Sequence, residues 1–272
     1  MKRFAFVFLV LFSIASKTLV WAHDPIFGIG PHVLFKGGVE VELETHLDKA
    51  GKEQELEQAL GLKYGLTGDW AIGLEVPYVL KEDDNKKSQG LSDISFFTKY
   101  RFYRKDILGV QESAAVLLKV ISNSADDNDD PSLGTGTTDG IVGLTYGYES
   151  LTWYRWASIR YRQNGRNDAG LQRGEKILFD ISGGYRPVLN NYTEADTVWI
   201  LELNAEFGES ANLNGSEVAN TGGDQLFLSP GIFWTKRNFA IKAGVQIPII
   251  SNLNGTQDDT DYRAKFVLEW HF

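Results

Sequence analysis

Cysteine is absent from the 272 residues. Disulfide staples, thiolate nucleophiles and Cys-based metal sites are excluded together. Histidine is scarce, at four residues: His23, His32, His46 and His271. No Gly-x-Ser-x-Gly elbow occurs, and no His falls on a lipid-facing position beside a Ser. Both absences argue against a hydrolase, including the lipid-modifying barrels that carry a Ser/His pair on the outer wall. Positive charge is in deficit, with 27 Lys and Arg against 36 Asp and Glu and a net charge of −9. An acidic chain is a poor partner for nucleic acid. After the first residues, no apolar run is long enough for a membrane-spanning helix. The glycine-rich run Gly134–Gly140 has no Lys and no helix pattern after it, so it is not a phosphate loop.

What is present begins with a leader. Lys2 and Arg3 precede an apolar stretch from Phe4 to Ile14, and Val20-Trp21-Ala22 closes in small-residue fashion. This layout predicts a secretory signal peptide over 1–22, too short in its apolar part to span, and a mature start at His23. Residues 23–36 contain Pro25, Pro31, Gly28 and Gly30, which break regular elements. They are expected to form an irregular periplasmic segment, ahead of the main domain or inside it.

From residue 37 to 272 the chain alternates. Trp70, Ile72, Leu74, Val76, Tyr78 and Leu80 share one face of a strand, against Ala71, Gly73, Glu75, Pro77 and Val79. Tyr262, Ala264, Phe266, Leu268, Trp270 and Phe272 share another, opposite Arg263, Lys265, Glu269 and His271. Side chains alternate across a strand, so each such stretch is apolar on one side and charged on the other. Aromatics bracket the apolar faces, where a bilayer has its interfaces. About twelve stretches of this kind follow one another. Their connections alternate in length: long near 48–54, 81–90, 123–137, 164–174, 208–223 and 251–260, short near 67–69, 104–109, 149–150, 187–195 and 236–238. Sorting by parity is what an up-and-down barrel produces, with short periplasmic turns and long outer loops. The expected fold is therefore an all-β, transmembrane, antiparallel β-barrel of about 12 strands with both termini periplasmic. Three prolines, Pro77, Pro230 and Pro248, fall mid-strand and are expected to mark bulges.

The inward faces carry the candidate solute-contacting residues Lys99, Arg101, Lys119, Arg160, Arg162, Asp180, Glu202, Lys242, Arg263 and Lys265. Such charges require water in the lumen or partners across it. The first reading is a polar, partly cationic conduit for a small solute such as an organic acid or an aromatic compound. The second is a closed structural or metal-responsive barrel. A free α-amine at His23, with His32, would suit copper, and the carboxylates of Asp126–Asp130 would suit calcium, though without EF-hand spacing. No catalytic residue and no obligatory cofactor is expected.

The segment Leu133-Gly134-Thr135-Gly136-Thr137-Thr138-Asp139-Gly140-Ile141-Val142-Gly143-Leu144-Thr145-Tyr146 resembles the loop-to-strand signature of the phenol meta-pathway family of bacterial outer-membrane barrels, often called transporters. The ending on Phe272 is similar to the closing strand of such barrels, whose last aromatic is read by the barrel assembly machinery. The resemblance implies export to the cell outer membrane, contact with its lipid, and passage of a small hydrophobic or aromatic solute.

Overall fold

The computed structural model of the protein describes residues 24–126 and 129–272. The expected signal peptide over 1–22 and the mature start at His23 lie outside the described residues. Sixteen strands form: β1 (Val39–Ala50), β2 (Glu53–Gly65), β3 (Trp70–Asp83), β4 (Lys86–Leu91), β5 (Ser95–Ile107), β6 (Val110–Ile121), β7 (Asp139–Ser150), β8 (Trp153–Gln163), β9 (Leu171–Gln172), β10 (Lys176–Tyr185), β11 (Asp196–Gly208), β12 (Asn212–Leu213), β13 (Ser216–Glu217), β14 (Gly223–Lys236), β15 (Phe239–Leu253) and β16 (Thr260–His271). Twelve of them close a ring in which each pairs antiparallel with its neighbour in the chain and β16 returns to β1. The four others decorate one end. β4 folds back on β3 alone, and β9, β12 and β13 make a small sheet of their own. Among the described residues there is no helix.

Closure is the physical point. A strand edge in hydrocarbon would leave amides unpaired, and only a helix or an edgeless sheet avoids that. Here the last seam is complete: Val39 and Phe272 exchange both backbone hydrogen bonds, at 3.0 and 2.8 Å. The usual burial pattern is inverted. Outward side chains such as Leu60, Phe96, Ile181 and Trp199 are exposed, while inward Glu202, Asp180 and Asp139 are buried. Aromatics gather outside one rim, where Trp153 stacks near Tyr185 at 4.6 Å and Phe239 near Trp270 at 5.0 Å.

Two details differ from the sequence expectation. The first connection is a two-residue turn at Gly51-Lys52, not a loop over 48–54, because β1 and β2 stay paired to Ala50 and Glu53. Gly51 takes φ 51°, a conformation open to glycine, and that permits the tight turn. The stretch 81–90 is a hairpin, not a loop: β3 runs on to Asp83 and pairs with β4. Polar residues there meet water on both sides, so they lack the alternation that would have marked strand. The remaining long connections collect at the rim opposite the aromatic pairs, as expected.

The prolines sit where the ladder has a gap. Pro77 marks the place where β3 leaves β5 after Glu75 and takes up β4 from Tyr78. Pro230 lies in a break of the β14–β15 ladder between Leu228 and Gly231. Pro248 adjoins the register shift opposite Leu226 and Phe227. Proline lacks an amide hydrogen and is tolerated only where none is needed.

Candidate functional site

Of the two placements expected for the irregular segment, ahead of the barrel or inside it, the structure takes the second. Residues 24–36 enter from the short-turn rim, where Gly37 N bonds Gly65 O at 2.8 Å, and loop into the lumen. Their prolines and glycines leave amides and carbonyls unpaired within the segment, and the wall supplies the partners. Glu202 on β11, fully buried, accepts hydrogen bonds from Ile26 N at 2.6 Å, Phe27 N at 3.2 Å and Gly28 N at 3.0 Å. One carboxylate thus receives three successive amides, the anion-binding concavity that irregular backbone offers. On the opposite side, Lys99 donates to Gly30 O at 2.9 Å and to Asp24 at 3.3 Å. Thr145 bonds Ile29 O at 2.8 Å, and His32 Nε2 donates to Glu149 Oε1.

Apolar packing completes the seat. Ile26 is buried among Tyr154, Trp156, Val198, Ile200, Phe233 and Ala240, with Phe27 against them. Room for these side chains is made by glycines facing inward. A Cβ on Gly244 would lie 2.9 Å from Phe27 Cε2, and one on Gly147 would lie 2.8 Å from Pro31 Cγ.

The segment's own ionisable groups respond to this setting. Burial works against the Asp24 carboxylate, yet Lys99 foremost, with His32, Lys242 and Lys63, outweighs it and holds the group well below its ordinary range. Burial likewise disfavours charge on His32. The charge and hydrogen bond of Glu149, helped by Asp24, overcome it and raise the imidazole above its ordinary value.

Beyond the segment the lumen is hollow. A cavity of about 320 Å³ lies beside it, lined by Lys63, Glu75, Lys119, Lys242 and Glu269 among others. A wider one, about 760 Å³, opens under the long loops. Glu57 lines both, so the two adjoin. On the other side a pocket of about 140 Å³ sits at the short-turn rim and shares His32, Val33, Leu34 and His271 with the inner cavity. The three hollows therefore form a line down the barrel, interrupted at residues 32–34.

All ten sequence candidates point inward, and each cation among them is paired. Lys119 meets Glu75, and Arg160 meets Asp180 at 2.8 Å. Arg162 meets Asp139 at 2.7 Å, and Lys242 meets Glu269 at 2.6 Å. Lys265 meets Glu44 at 2.8 Å, while Arg263 bridges Asp48 and Glu206 at 2.8 and 2.6 Å. Arg101 closes on Asp69 of the β2–β3 turn at 2.8 Å, away from the central cavity. The cationic side expected from Lys99, Arg101, Arg160 and Arg162 is thereby neutralised locally. Glu202 and Asp180 serve the segment and the wall: Asp180 accepts from Ser158 at 2.6 Å, Arg160 at 2.8 Å and Asn204 at 2.8 Å.

Sequence reading missed Asp24, Asp93, Asp139 and Glu149 as partners. Asp93 accepts the amides of Ser124, Ala125 and Thr135 at 3.0, 2.9 and 2.6 Å and so ties the base of the Gly-Thr-Gly loop. Its only signal was position, two residues before a strand. Of the metal candidates, His23 lies outside the described residues, and the His32 Nε2 expected to assist it is engaged by Glu149. In the acidic loop, Lys86 Nζ holds Asp130 at 2.5 Å, and Asp127 and Asn128 lie outside the described residues.

No protein-family model matches the chain, and no curated protein matches it by sequence. Solved structures do match in shape. An outer membrane channel from Pseudomonas putida F1 aligns over 92% of this chain and 100% of its own, at 10% identity and a TM-score of 0.71. The NanC porin aligns over 85% of this chain and 98% of its own, at 10% identity and a TM-score of 0.54. At such identity the likeness is one of fold, and the fold is that of an outer-membrane β-barrel.

Proposed function

We propose that this protein is a non-catalytic barrel of the bacterial outer membrane that takes a small polar solute from the long-loop side into its lumen, with residues 24–36 as the plug that closes the other side. The observation that carries the reading is the line of three hollows broken only by the segment that Glu202 holds. Two barrels of the same fold are, by name, a channel and a porin, which supports passage as the general role. The short-turn rim and both chain ends would then face the periplasm, and Phe272 would meet the assembly machinery. The resemblance around Gly134–Tyr146 to the phenol meta-pathway barrels fits the same role. A solute bearing charge, such as an organic acid, suits walls of paired Lys, Arg, Asp and Glu better than a bare aromatic compound does.

Planar-bilayer recording tests this reading. The intact protein should show low, infrequent conductance, and a variant lacking residues 24–36 should conduct steadily. Equal traces from the two would refute the plug.

The dense pairing inside also supports a second reading, a closed structural barrel. It predicts that the lumen stays silent after the segment is removed. A copper-responsive form of that reading predicts that copper binds the mature protein and is lost in His23→Ala.

A further inference from the structure

The wider cavity has two unlike walls. On one side stand Glu53, Glu55 and Glu57 of β2 and Asp83 of β3, met there by the single cation Lys81, which bonds Glu55 at 3.2 Å. On the other stand Arg162 of β8, Arg173 of the β9 loop and Lys176 of β10, met by Asp139, which pairs both arginines, and by Glu209, with Glu206 of the adjoining β11 beside Lys176 but bonded to Arg263. Around the ring β2 and β10 are six strands apart in either direction, so these walls face each other across the full diameter. The Arg263 cluster of β16, bound by Asp48 and Glu206, lies between them. Among the described residues, Lys176, Glu53 and Glu57 make no hydrogen bond or ion pair through their side chains. Each wall thus keeps a surplus of its own sign, the acidic one the larger, pointed at the other across the open cavity. Each of the candidate lysines Lys99, Lys119, Lys242 and Lys265 is paired, so Lys176, which was not among the candidates, stands out.

From this arrangement we infer that the cavity under the long loops selects short zwitterionic peptides of three or four residues, α-amine toward Glu53 and Glu57, α-carboxylate toward Arg173 and Lys176. The length follows from the ring. Twelve strands about 4.8 Å apart, tilted by roughly 40°, close a cylinder on the order of 24 Å across. Side chains reaching in from both walls leave roughly 12 Å. Three or four extended residues at about 3.5 Å each span that gap, and a single amino acid does not. A cavity of about 760 Å³ accommodates such a molecule. The inference rests on the lumen being a solute-binding space, and it adds the class of solute.

The test is titration calorimetry on the full-length processed barrel in detergent, plug in place. The probes are trialanine, N-acetyl-trialanine, trialanine amide and glycine. Trialanine should bind saturably, and blocking either end should weaken it at least about fivefold, because each cap deletes one of the two facing charge contacts. Lys176→Met should shrink the penalty for the C-terminal amide, the remainder being due to Arg173, while keeping that for the N-acetyl group in full. Glu53→Gln/Glu57→Gln should do the reverse. These side chains are unpaired, and heat-dependent gel mobility verifies that the variants fold. Equal binding of capped and free peptides, binding of glycine as tight as trialanine, or no binding of trialanine overturns the inference. The comparison of capped ligands needs no variant. If end selectivity is absent while removal of residues 24–36 still opens the conductance, only the peptide assignment fails. If selectivity is present and conductance never opens, the plug reading fails instead.

Discussion

The two halves of the lumen solve the same problem by different means. Toward the short-turn rim, inward charges are buried with the plug, and each has a fixed partner: Glu202 three amides, Asp24 Lys99 through one of its two oxygens, and His32 Glu149. An apolar floor around Ile26 excludes water there. Toward the long loops, charges line a hollow that opens to solvent, and among the described residues Glu53, Glu57 and Lys176 stand without a bonded partner. The difference teaches where a single substitution should matter. A buried polar group left without its partner costs far more than one that water can reach.

The largest effect is expected at Glu202. Glu202→Ala strips three successive amides of their acceptor in a dry site. Hydrogen bonds to a charged group are worth about 1.5–3 kcal/mol each, so the plug's seating should weaken by at least ~3 kcal/mol, more than a hundredfold in occupancy. Hydrogen exchange at Ile26, Phe27 and Gly28 should accelerate, and bilayer conductance should rise toward that of the truncated protein. Protected amides in the variant would show that the apolar floor alone holds the segment. A step below comes Gly244→Val, which puts methyl groups where Phe27 and Ile26 now lie. Overpacking costs about 1–3 kcal/mol, and here the plug, not the wall, is the side that can yield. The expected signature is faster proteolysis of the segment with an unchanged unfolding temperature of the barrel.

The barrel itself was legible because hydrocarbon enforces a period of two. Trp70 to Leu80 and Tyr262 to Phe272 could be assigned residue by residue, and the parity of the connections supplied the topology. The plug was not legible. Residues 23–36 announce only that they break regular structure, and nothing local says whether such a segment hangs free or threads the lumen. A trace of it was present in the inward glycines: Gly147, Gly231 and Gly244 leave a hollow that only another segment fills. That trace becomes readable once the register is known. The partners of the candidate cations were equally hidden, since Lys99 and Asp24, or Arg263 and Glu206, meet across sequence separations that no periodicity encodes.

His32 makes the same dry half sensitive to pH, with a smaller effect. Its imidazole is held above its ordinary value by Glu149, against burial and against Lys99. Arg101, Arg104, Arg237 and His271 also line its pocket, while Trp156 Nε1 donates to the same Glu149 oxygen at 2.9 Å. A group whose pKa is higher in the seated state than in the released state favours seating most fully below its released value. That contribution fades as pH rises through the raised one. Plug protection should therefore be complete in mildly acid solution and decline as pH rises through the raised value of His32. The change should be about 1.5 kcal/mol, the low end of the range for one hydrogen bond to a charged group. Exchange rates at residues 26–32 followed from pH 5 to 9 would show it. In His32→Gln the slope should flatten; an undiminished slope would assign the titration to another group.

The smallest effect belongs to the wet half and sharpens the contrast most directly. Arg173 forms an ion pair with Asp139 at 2.7 Å, a distance as short as many in the dry half. Distance alone would therefore rank the two halves equally. Yet Asp139 also accepts from Arg162 at 2.7 Å, Thr137 at 2.7 Å and Gly165 N at 3.0 Å. The guanidinium itself is partly exposed, and solvent can replace what it loses. Asp139 is buried but keeps Arg162, Thr137 and Gly165, so the loss of the half-exposed Arg173 should come near the about 0–1 kcal/mol of exposed pairs, and Arg173→Gln should leave thermal unfolding of the barrel nearly unchanged and the plug's exchange rates untouched. If it destabilised the protein as much as Glu202→Ala, the long-loop cavity would have to be as dry as the plugged half. Partner redundancy and water access, rather than the length of an ion pair, would then no longer separate the two halves.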